Sequence, residues 1–298
     1  MTSPISVNHP WLSRGQQVEV AGHSLFVMDE GHGPALTLLH GFPTSAFDFH
    51  RVWPELTRCH RVIVHDHLGF GLSAKPEDYS YSLMEQADMA VMLWRQLGVT
   101  STHLLAHDYG TSVATELVAR HVRGILPVSI ESLTLSNGSV RLDLAHLTTL
   151  QKILRSPLAG PWLAHLAPWP LFHSALRKTF AQPDKADEAD LRIQWDLLNT
   201  RDGLLRLPAI SQYLRERTLF RHRWLGSLAQ WDRPTHLVWG RQDPIAVAAI
   251  AEALAADIPH AQLSWLEGVG HYPMLEAPEP WAETVLTWLK TVPTPTRS

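Results

Sequence analysis

The sequence feature that most constrains the fold is an abrupt change from a strand pattern to a helical pattern around one acidic residue. Residues of the buried-strand type run from Thr102 to Ala106, and apolar residues from Val113 onward recur at helical spacing. Asp108 lies between the two patterns, with Ala106 and Gly110 two positions away on either side. Small residues are needed where a strand turns sharply into a helix, because the backbone crowds the central residue. The stretch predicts a tight strand–turn–helix unit, and a solvated turn carboxylate is the alternative interpretation of Asp108.

Strand and helix patterns alternate along the chain on both sides of this unit. Strands that alternate with helices of this length form a mostly parallel sheet with helices on both faces. Only helical periods, interrupted by prolines, occur from about Val140 to Trp231, a stretch too long for a loop. The predicted strands cover residues 18–20, 25–27, 35–39, 61–64, 102–106, 130–135, 235–240 and 262–266. The sequence therefore predicts an α/β fold with a core domain of residues 1–139 and 232–298 and an inserted helical cap, or lid, of residues 140–231.

The composition is that of a globular chain without a strong preference for a charged partner. Of the 298 residues, 45% are hydrophobic and 18% are charged, and the formal net charge is −4. No basic run would form a nucleic-acid surface, and no apolar run approaches the roughly 18 residues that span a membrane. The single cysteine, Cys59, excludes an internal disulfide, and no signal-peptide pattern is present, so we expect a cytoplasmic protein. The 18 histidines lack metal-ligand spacing, so no metal and no cofactor are predicted.

Residues suited to catalysis follow several of the predicted strands. In a parallel sheet, ligands bind at the carboxyl ends of the strands. Phe42, Asp108, Asp243 and His271 each come shortly after such an end. The order Asp108, Asp243, His271 is that of a nucleophile, an acid and a base brought to one sheet edge. Taken singly, Asp243 is also explained as a cap of the helix after Pro244, and His271 as a hydrogen-bonded loop histidine.

These motifs resemble those of the α/β-hydrolase superfamily over essentially the full length of the chain. The matching segments are HGFP at 40–43, DHLGFGLS at 66–73, HDYG at 107–110, QDP at 242–244 and GHYP at 270–273. The chain is most similar to the branch of epoxide hydrolases and haloalkane dehalogenases, whose nucleophile is aspartate. Within that branch, AHDYGTSVATEL and LTLSNG are similar to the mesoderm-specific transcript subgroup. The resemblance implies an α/β-hydrolase fold whose helical insertion covers the site.

The resemblance also implies a two-step hydrolysis through an ester on Asp108. A carboxylate attacks an sp3 carbon, and water then hydrolyses the resulting alkyl ester at its carbonyl. His271 is expected to take the proton from that water while Asp243 holds the imidazole. The main-chain N–H groups of Phe42 and Tyr109 are expected to form the oxyanion hole.

The residues near the expected leaving group favour an epoxide over a halide. Dehalogenases of this branch hold the halide with a Trp after the nucleophile and an Asn or second Trp elsewhere, whereas this chain has Tyr109 and Phe42. Epoxide hydrolases protonate the opening ring with acids of the cap, usually two tyrosines, and the predicted cap contains one, Tyr213. His173 is assigned as a second ring-opening partner, with a core or surface position as the alternative. The preferred hypothesis is an epoxide hydrolase that converts a small apolar epoxide and water into a vicinal diol.

Two alternatives to this hypothesis stay open. A haloalkane dehalogenase would share the nucleophile, and a hydrolase-like binding protein without turnover would explain the single cap tyrosine. The sequence identifies no nucleic-acid partner and no membrane partner, and it leaves substrate size and the oligomeric state open.

Overall fold

One eight-stranded sheet carries the fold in the computed structural model, which describes residues 7–147, 149–154 and 168–293. The spatial order of the strands is β1-β2-β4-β3-β5-β6-β7-β8. The strands are β1 Gln16–Val20, β2 His23–Glu30, β3 Ala35–Leu39, β4 Arg61–His65, β5 Ser101–His107, β6 Ser129–Ser136, β7 Thr235–Gly240 and β8 Gln262–Leu266. β2 pairs antiparallel with β1 and with β4, and all other pairs are parallel. The predicted α/β class, with a hairpin leading into a mostly parallel sheet, is confirmed.

Helices cover the sheet on both faces, because its central strands are buried on both sides. Every residue of β7 is buried, and so is every residue of β5 after the first. A parallel strand of this kind must be packed on both faces. The helices are α1 Trp53–Thr57, α2 Leu83–Gln96, α3 Tyr109–Val122, α4 Thr149–Leu154, α5 Trp169–Arg177, α6 Glu188–Asn199, α7 Leu207–Ile210, α8 Tyr213–Leu219, α9 Arg221–Leu228, α10 Ala248–Asp257, α11 Pro273–Glu276 and α12 Pro278–Leu289. Among the described residues, no helix is long and apolar enough to cross a bilayer.

The chain between β6 and β7 is the helical insertion, and its described part contains α4 to α9 and no strand. Buried polar contacts fix this insertion to the sheet-bearing core. Glu116 of α3 accepts hydrogen bonds from both Arg223, at 2.7 Å, and Trp224 Nε1, at 2.9 Å. Lys75 Nζ donates to Thr200 Oγ1 at 2.7 Å. The domain boundaries at residues 139/140 and 231/232 stay a prediction.

Candidate active site

Asp108 occupies the junction between β5 and α3 in an unusual backbone conformation. Its φ is 42° and its ψ is −107°, and a positive φ is costly for any residue with a side chain. Gly110 makes the turn possible, because a Cβ atom there would lie 2.4 Å from the main-chain oxygen of Leu39. The Asp108 side chain is buried, with only 2% of the residue exposed. The alternative of a solvated turn carboxylate is therefore wrong.

Asp108, His271 and Asp243 come together at the carboxyl edge of the sheet. His271 Nε2 lies 3.9 Å from Asp108 Oδ1, and His271 Nδ1 lies 2.7 Å from Asp243 Oδ2. Asp243 also accepts main-chain N–H groups of Ile245 and Ala246 at 2.7 and 2.9 Å. The same carboxylate thus shapes the turn before α10 and contacts the imidazole, whereas the N-cap position of α10 itself is Val247. The catalytic role of Asp243 stays a prediction.

Asn137, which the sequence analysis did not single out, completes the environment of Asp243. The Nδ2 atom of Asn137 donates a hydrogen bond to Asp243 Oδ2 at 2.7 Å. The backbone of Asn137 has a φ of 47°. Burial raises the pKa of Asp243, but the charge and hydrogen bond of His271 and the Asn137 hydrogen bond outweigh burial and hold that pKa below its usual value. Asp243 is therefore an anion that stabilises a positive charge on His271.

The protonation of His271 depends on the carboxylates around it. Burial lowers the pKa of His271, but the charge and hydrogen bond of Asp243, together with the charge of Asp108, raise it to about 8. This raised pKa favours the protonated imidazole at neutral pH. An ester on Asp108 would remove one of these negative charges and favour the neutral imidazole that a general base requires.

The main-chain N–H of Phe42 donates to Asp108 Oδ2 at 3.0 Å. Phe42 follows β3, and its loop is fixed because the carbonyl of His40 accepts the N–H of Gly110 at 3.0 Å. Tyr109 is the first residue of α3, where main-chain N–H groups have no partner within the helix. The arrangement suits an oxyanion formed on a carboxyl oxygen of Asp108, and the roles of Phe42 and Tyr109 as the oxyanion hole stay a prediction.

A mostly apolar pocket opens onto Asp108 and His271. Core and cap residues both contribute to its wall, and the apolar ones include Phe42, Pro43, Phe172, Ala175, Leu176 and Ile245. Gln151 of α4 adds a polar carboxamide to the cap side of the pocket. Such a pocket suits a small apolar ligand that carries one hydrogen-bond acceptor.

Tyr213 does not itself line the pocket, but it contacts Gln151, which does. Gln151 Nε2 donates to the Tyr213 hydroxyl oxygen at 3.2 Å. The Tyr213 ring is 1% exposed and packs on Phe42 and Tyr109, at centroid distances of 5.6 and 5.1 Å. Gln151 was missed by sequence analysis because a glutamine on a short helix carries no local signal of its role.

The structure does not bring His173 to Asp108. Residues 172, 175 and 176 of α5 share the face that lines the pocket, and His173 lies one helical step away from it. His173 Nε2 instead lies 2.7 Å from Glu188 Oε2, a side chain that is 66% exposed. The expected position of His173 as a ring-opening partner is thus not supported, because helix rotation turns it away from the pocket.

Asp48 is a third buried carboxyl group near the site, after Asp108 and Asp243, and sequence analysis missed it. It accepts the Thr44 hydroxyl at 2.6 Å and Gln194 Nε2 of the cap at 2.7 Å. Burial raises the pKa of Asp48 well above its ordinary value, and the charge of Asp108 acts in the same direction. Asp48 lies in a helical pattern of ordinary composition, so nothing in the sequence indicated its burial.

Glu276 joins the loop that carries His271 to the cap. Its carboxylate accepts the N–H of Gly270 at 2.6 Å and the N–H of Gln182 at 2.8 Å. In addition, the N–H of His271 donates to the carbonyl of Thr179 at 2.9 Å. The loop that carries His271 and the cap segment after α5 therefore form one hydrogen-bonded unit.

A metal centre is not part of the described site. Within residues 7–147, 149–154 and 168–293, no group of three or more His, Cys, Asp or Glu side chains has a geometry that could hold a metal ion.

Comparison with known proteins places this geometry among related chains. Residues 38–284 match the sequence profile described as "Alpha/beta hydrolase family". The LipZ protein of Mycobacterium tuberculosis, which is named as a hydrolase, is 41% identical over 97% of this chain and 99% of its own length. The mesoderm-specific transcript homolog protein of Homo sapiens is 36% identical over 91% of this chain and 84% of its own length. The solved haloalkane dehalogenase DbeA from Bradyrhizobium elkani has a TM-score of 0.80 at 23% identity, over 93% of this chain and 98% of DbeA.

Proposed function

The chain belongs to the α/β-hydrolase family, and from this premise we propose that it is an epoxide hydrolase acting through an ester on Asp108. The observation that carries the proposal is the hydrogen-bonded pair of Gln151 and Tyr213 beside an apolar pocket that contains Asp108. The O–H of Tyr213 and the N–H of Gln151 suit a leaving group whose leaving atom is oxygen, because an alkoxide must be protonated or strongly hydrogen-bonded before it can leave. Tyr109 and Phe42 stand where dehalogenases of the branch carry halide-binding side chains.

In the first step, an Asp108 carboxylate oxygen attacks one epoxide carbon in line with the breaking C–O bond. The electron pair of that bond goes to the epoxide oxygen, which receives the hydroxyl proton of Tyr213. Gln151 is assigned to hydrogen-bond the same oxygen and hold the substrate. The product of this step is a 2-hydroxyalkyl ester of Asp108 and a Tyr213 phenolate, which is reprotonated before the next cycle.

In the second step, water attacks the carbonyl carbon of the ester. His271 takes the proton of this water and carries a positive charge that Asp243, at 2.7 Å, stabilises. Negative charge forms on an oxygen of Asp108, within reach of the Phe42 N–H that now lies 3.0 Å from Oδ2. Losing one such donor typically costs about 3 kcal/mol of transition-state stabilisation. Collapse of the intermediate breaks its C–O bond to the alkyl oxygen, which takes the proton from His271 to give the diol. The carboxyl proton left on Asp108 passes through solvent to the Tyr213 phenolate, which restores the Asp108 carboxylate and the phenol.

The test is diol formation from a panel of aryl and alkyl epoxides, with styrene oxide as the first substrate. We expect turnover by the wild-type protein, none by Asp108→Asn, and a large loss in Tyr213→Phe. Tyr79→Phe is the matched control, since Tyr79 is half-buried and its ring contacts His23 and Tyr81, whereas the Tyr213 ring contacts Phe42 and Tyr109. His271→Gln should accumulate a protein species heavier by the mass of one epoxide.

Two results would overturn the proposal. Diol formation no faster than the uncatalysed background, across the whole panel, would exclude epoxide hydrolysis. Halide release from chloroalkanes or bromoalkanes, with no diol from any epoxide, would identify a dehalogenase instead. Full activity of Tyr213→Phe would remove Tyr213 from the ring-opening step while leaving the Asp108 ester in place.

A further inference from the structure

A buried arginine of the cap, Arg217, lies directly against the nucleophile turn. Only 2% of the residue is exposed. Its Nε donates to Ser112 Oγ at 2.7 Å, and its Nη2 lies 3.4 Å from the main-chain oxygen of Asp108. Both partners are uncharged groups. Among the described residues, Arg217 forms no ion pair with a carboxylate, although most other arginines of the protein do.

The buried position of Arg217 makes the absence of a neighbouring counter-charge energetically unfavourable. Burial removes the guanidinium from water, and an unpaired buried charge is unfavourable. Ser112 lies in the first turn of α3, so Arg217 faces the positive end of that helix dipole. A structural role alone would be served better by a neutral side chain, because Met or Leu fills the same space without the cost of desolvation.

The third neighbour of Arg217 is the ring of Tyr213. The two residues are four positions apart on α8 and therefore share one face of the helix. The guanidinium carbon lies 4.5 Å from the centre of the Tyr213 ring, within the range of a cation–π contact. Arg217 thus connects the phenol assigned to ring opening with the turn that carries the nucleophile.

We propose that Arg217 is a positioning residue that holds the Tyr213 ring against the nucleophile turn and stabilises Tyr213 when it loses its proton. The inference rests on the proposed function. As the C–O bond of the epoxide breaks, the hydroxyl proton moves to the leaving oxygen and negative charge develops on the phenol. The new negative charge lies on the ring that Arg217 contacts, so the interaction between Arg217 and Tyr213 is stronger in the transition state than in the ground state. An interaction of this kind raises kcat.

A double-mutant cycle on the most active epoxide tests this coupling. Arg217→Met should lower kcat by about 30-fold, the size expected for a desolvated cation–π contact, with KM little changed. Arg217→Met combined with Tyr213→Phe should be no slower than Tyr213→Phe alone, because Arg217 acts through the phenol. Arg215→Met is the matched control, since Arg215 is exposed on the same helix. Two results would overturn the inference. One is a loss of kcat in the double variant equal to the product of the losses in the two single variants, and the other is a change in KM without a change in kcat.

Chemical rescue separates positioning from a purely structural role. Added guanidinium ion should restore part of the activity of Arg217→Ala, and it should restore none in Arg217→Ala combined with Tyr213→Phe. Thermal unfolding of each variant shows whether it folds. Equal rescue of both proteins, or no rescue of an Arg217→Ala protein that is folded, would contradict the proposal.

A measurement without turnover distinguishes failure of this inference from failure of the proposed function. Incorporating 3-fluorotyrosine brings phenol ionisation into a measurable pH range, and Tyr213→Phe identifies the ¹⁹F resonance of Tyr213. The midpoint of that resonance should move to higher pH in Arg217→Met and stay in place in Arg215→Met. An unchanged midpoint would exclude the electrostatic link between Arg217 and Tyr213, whether or not any epoxide is a substrate.

Discussion

The negative charge of Asp108 contributes to the protonation state of His271, and replacing Asp108 by asparagine tests that contribution. Burial lowers the pKa of His271, and the surrounding carboxylates raise it to about 8. Asp108→Asn keeps the shape of the side chain and removes one of those charges. We therefore expect the pKa of His271 to fall well below its wild-type value.

The size of this fall follows from the geometry. His271 Nε2 and Asp108 Oδ1 are 3.9 Å apart. Two charges about 4 Å apart interact by about 1 kcal/mol in water and about 4 kcal/mol at an effective dielectric constant of roughly 20. Because one pKa unit corresponds to about 1.4 kcal/mol, the expected fall is between about 1 and 3 units.

The same fall should occur during the reaction, because an ester of Asp108 is as neutral as asparagine. His271 would be largely protonated while Asp108 is the attacking carboxylate and neutral when it must accept a proton from water. The rate of ester hydrolysis should therefore rise with pH through the lowered pKa rather than through a value of about 8.

The assay is a pH titration of protein labelled with ¹³C-histidine, followed by NMR. His271→Gln identifies the His271 resonance, and Asp29→Asn is the control, because Asp29 pairs with Arg61 on the sheet. A midpoint for Asp108→Asn equal to that of the wild type would refute the assigned electrostatic coupling. A midpoint that also moved in Asp29→Asn would show that the change is not specific to the site.

Two further substitutions test the buried polar groups around the site. Asn137→Ala removes the side-chain amide whose Nδ2 lies 2.7 Å from Asp243 Oδ2. It should lower the free energy of unfolding by about 1–3 kcal/mol and also lower kcat. An unchanged midpoint of denaturant unfolding would contradict this expectation. Asp48→Asn should stabilise the protein, because a raised folded-state pKa means that ionisation of Asp48 opposes folding. Denaturation across a pH series compares the free energies of unfolding of Asp48→Asn and the wild type. The variant should be no more stable below the ordinary pKa of 3.8, increasingly more stable above it, and more stable by a constant amount above the raised pKa of Asp48. A variant less stable than the wild type at every pH would exclude a neutral Asp48.

Structural features that depend on neighbouring residues in the sequence could be predicted from the sequence alone. The α/β-hydrolase superfamily and its sheet are confirmed, because each buried strand shows as an apolar run and the turn around Asp108 needs Gly110 in sequence. The placement of Asp243 and His271 after their strands followed from the rule that parallel strands present their carboxyl ends at one edge. The substrate was not accessible in the same way, since the comparisons support a hydrolase and no particular leaving group.

The cap residues could not be placed from sequence because their positions depend on how helices are rotated against the core. One helical step separates His173, which pairs with Glu188, from the face of α5 that lines the pocket. Gln151 and Arg217 have the ordinary appearance of a polar residue on a surface helix, yet both are buried. Tertiary packing determines which face of such a helix is hidden, and a single sequence does not encode that choice locally.

The carboxylate of Glu276 has a consequence for how ligands exchange with the pocket. By accepting hydrogen bonds from both Gly270 and Gln182, it links one edge of the cap to the loop that carries His271. Lifting this edge of the cap would pull on the loop that carries His271 and disturb the alignment of His271 with Asp243. We therefore expect ligands to enter and leave at another part of the boundary between the cap and the core, where opening leaves this loop in place.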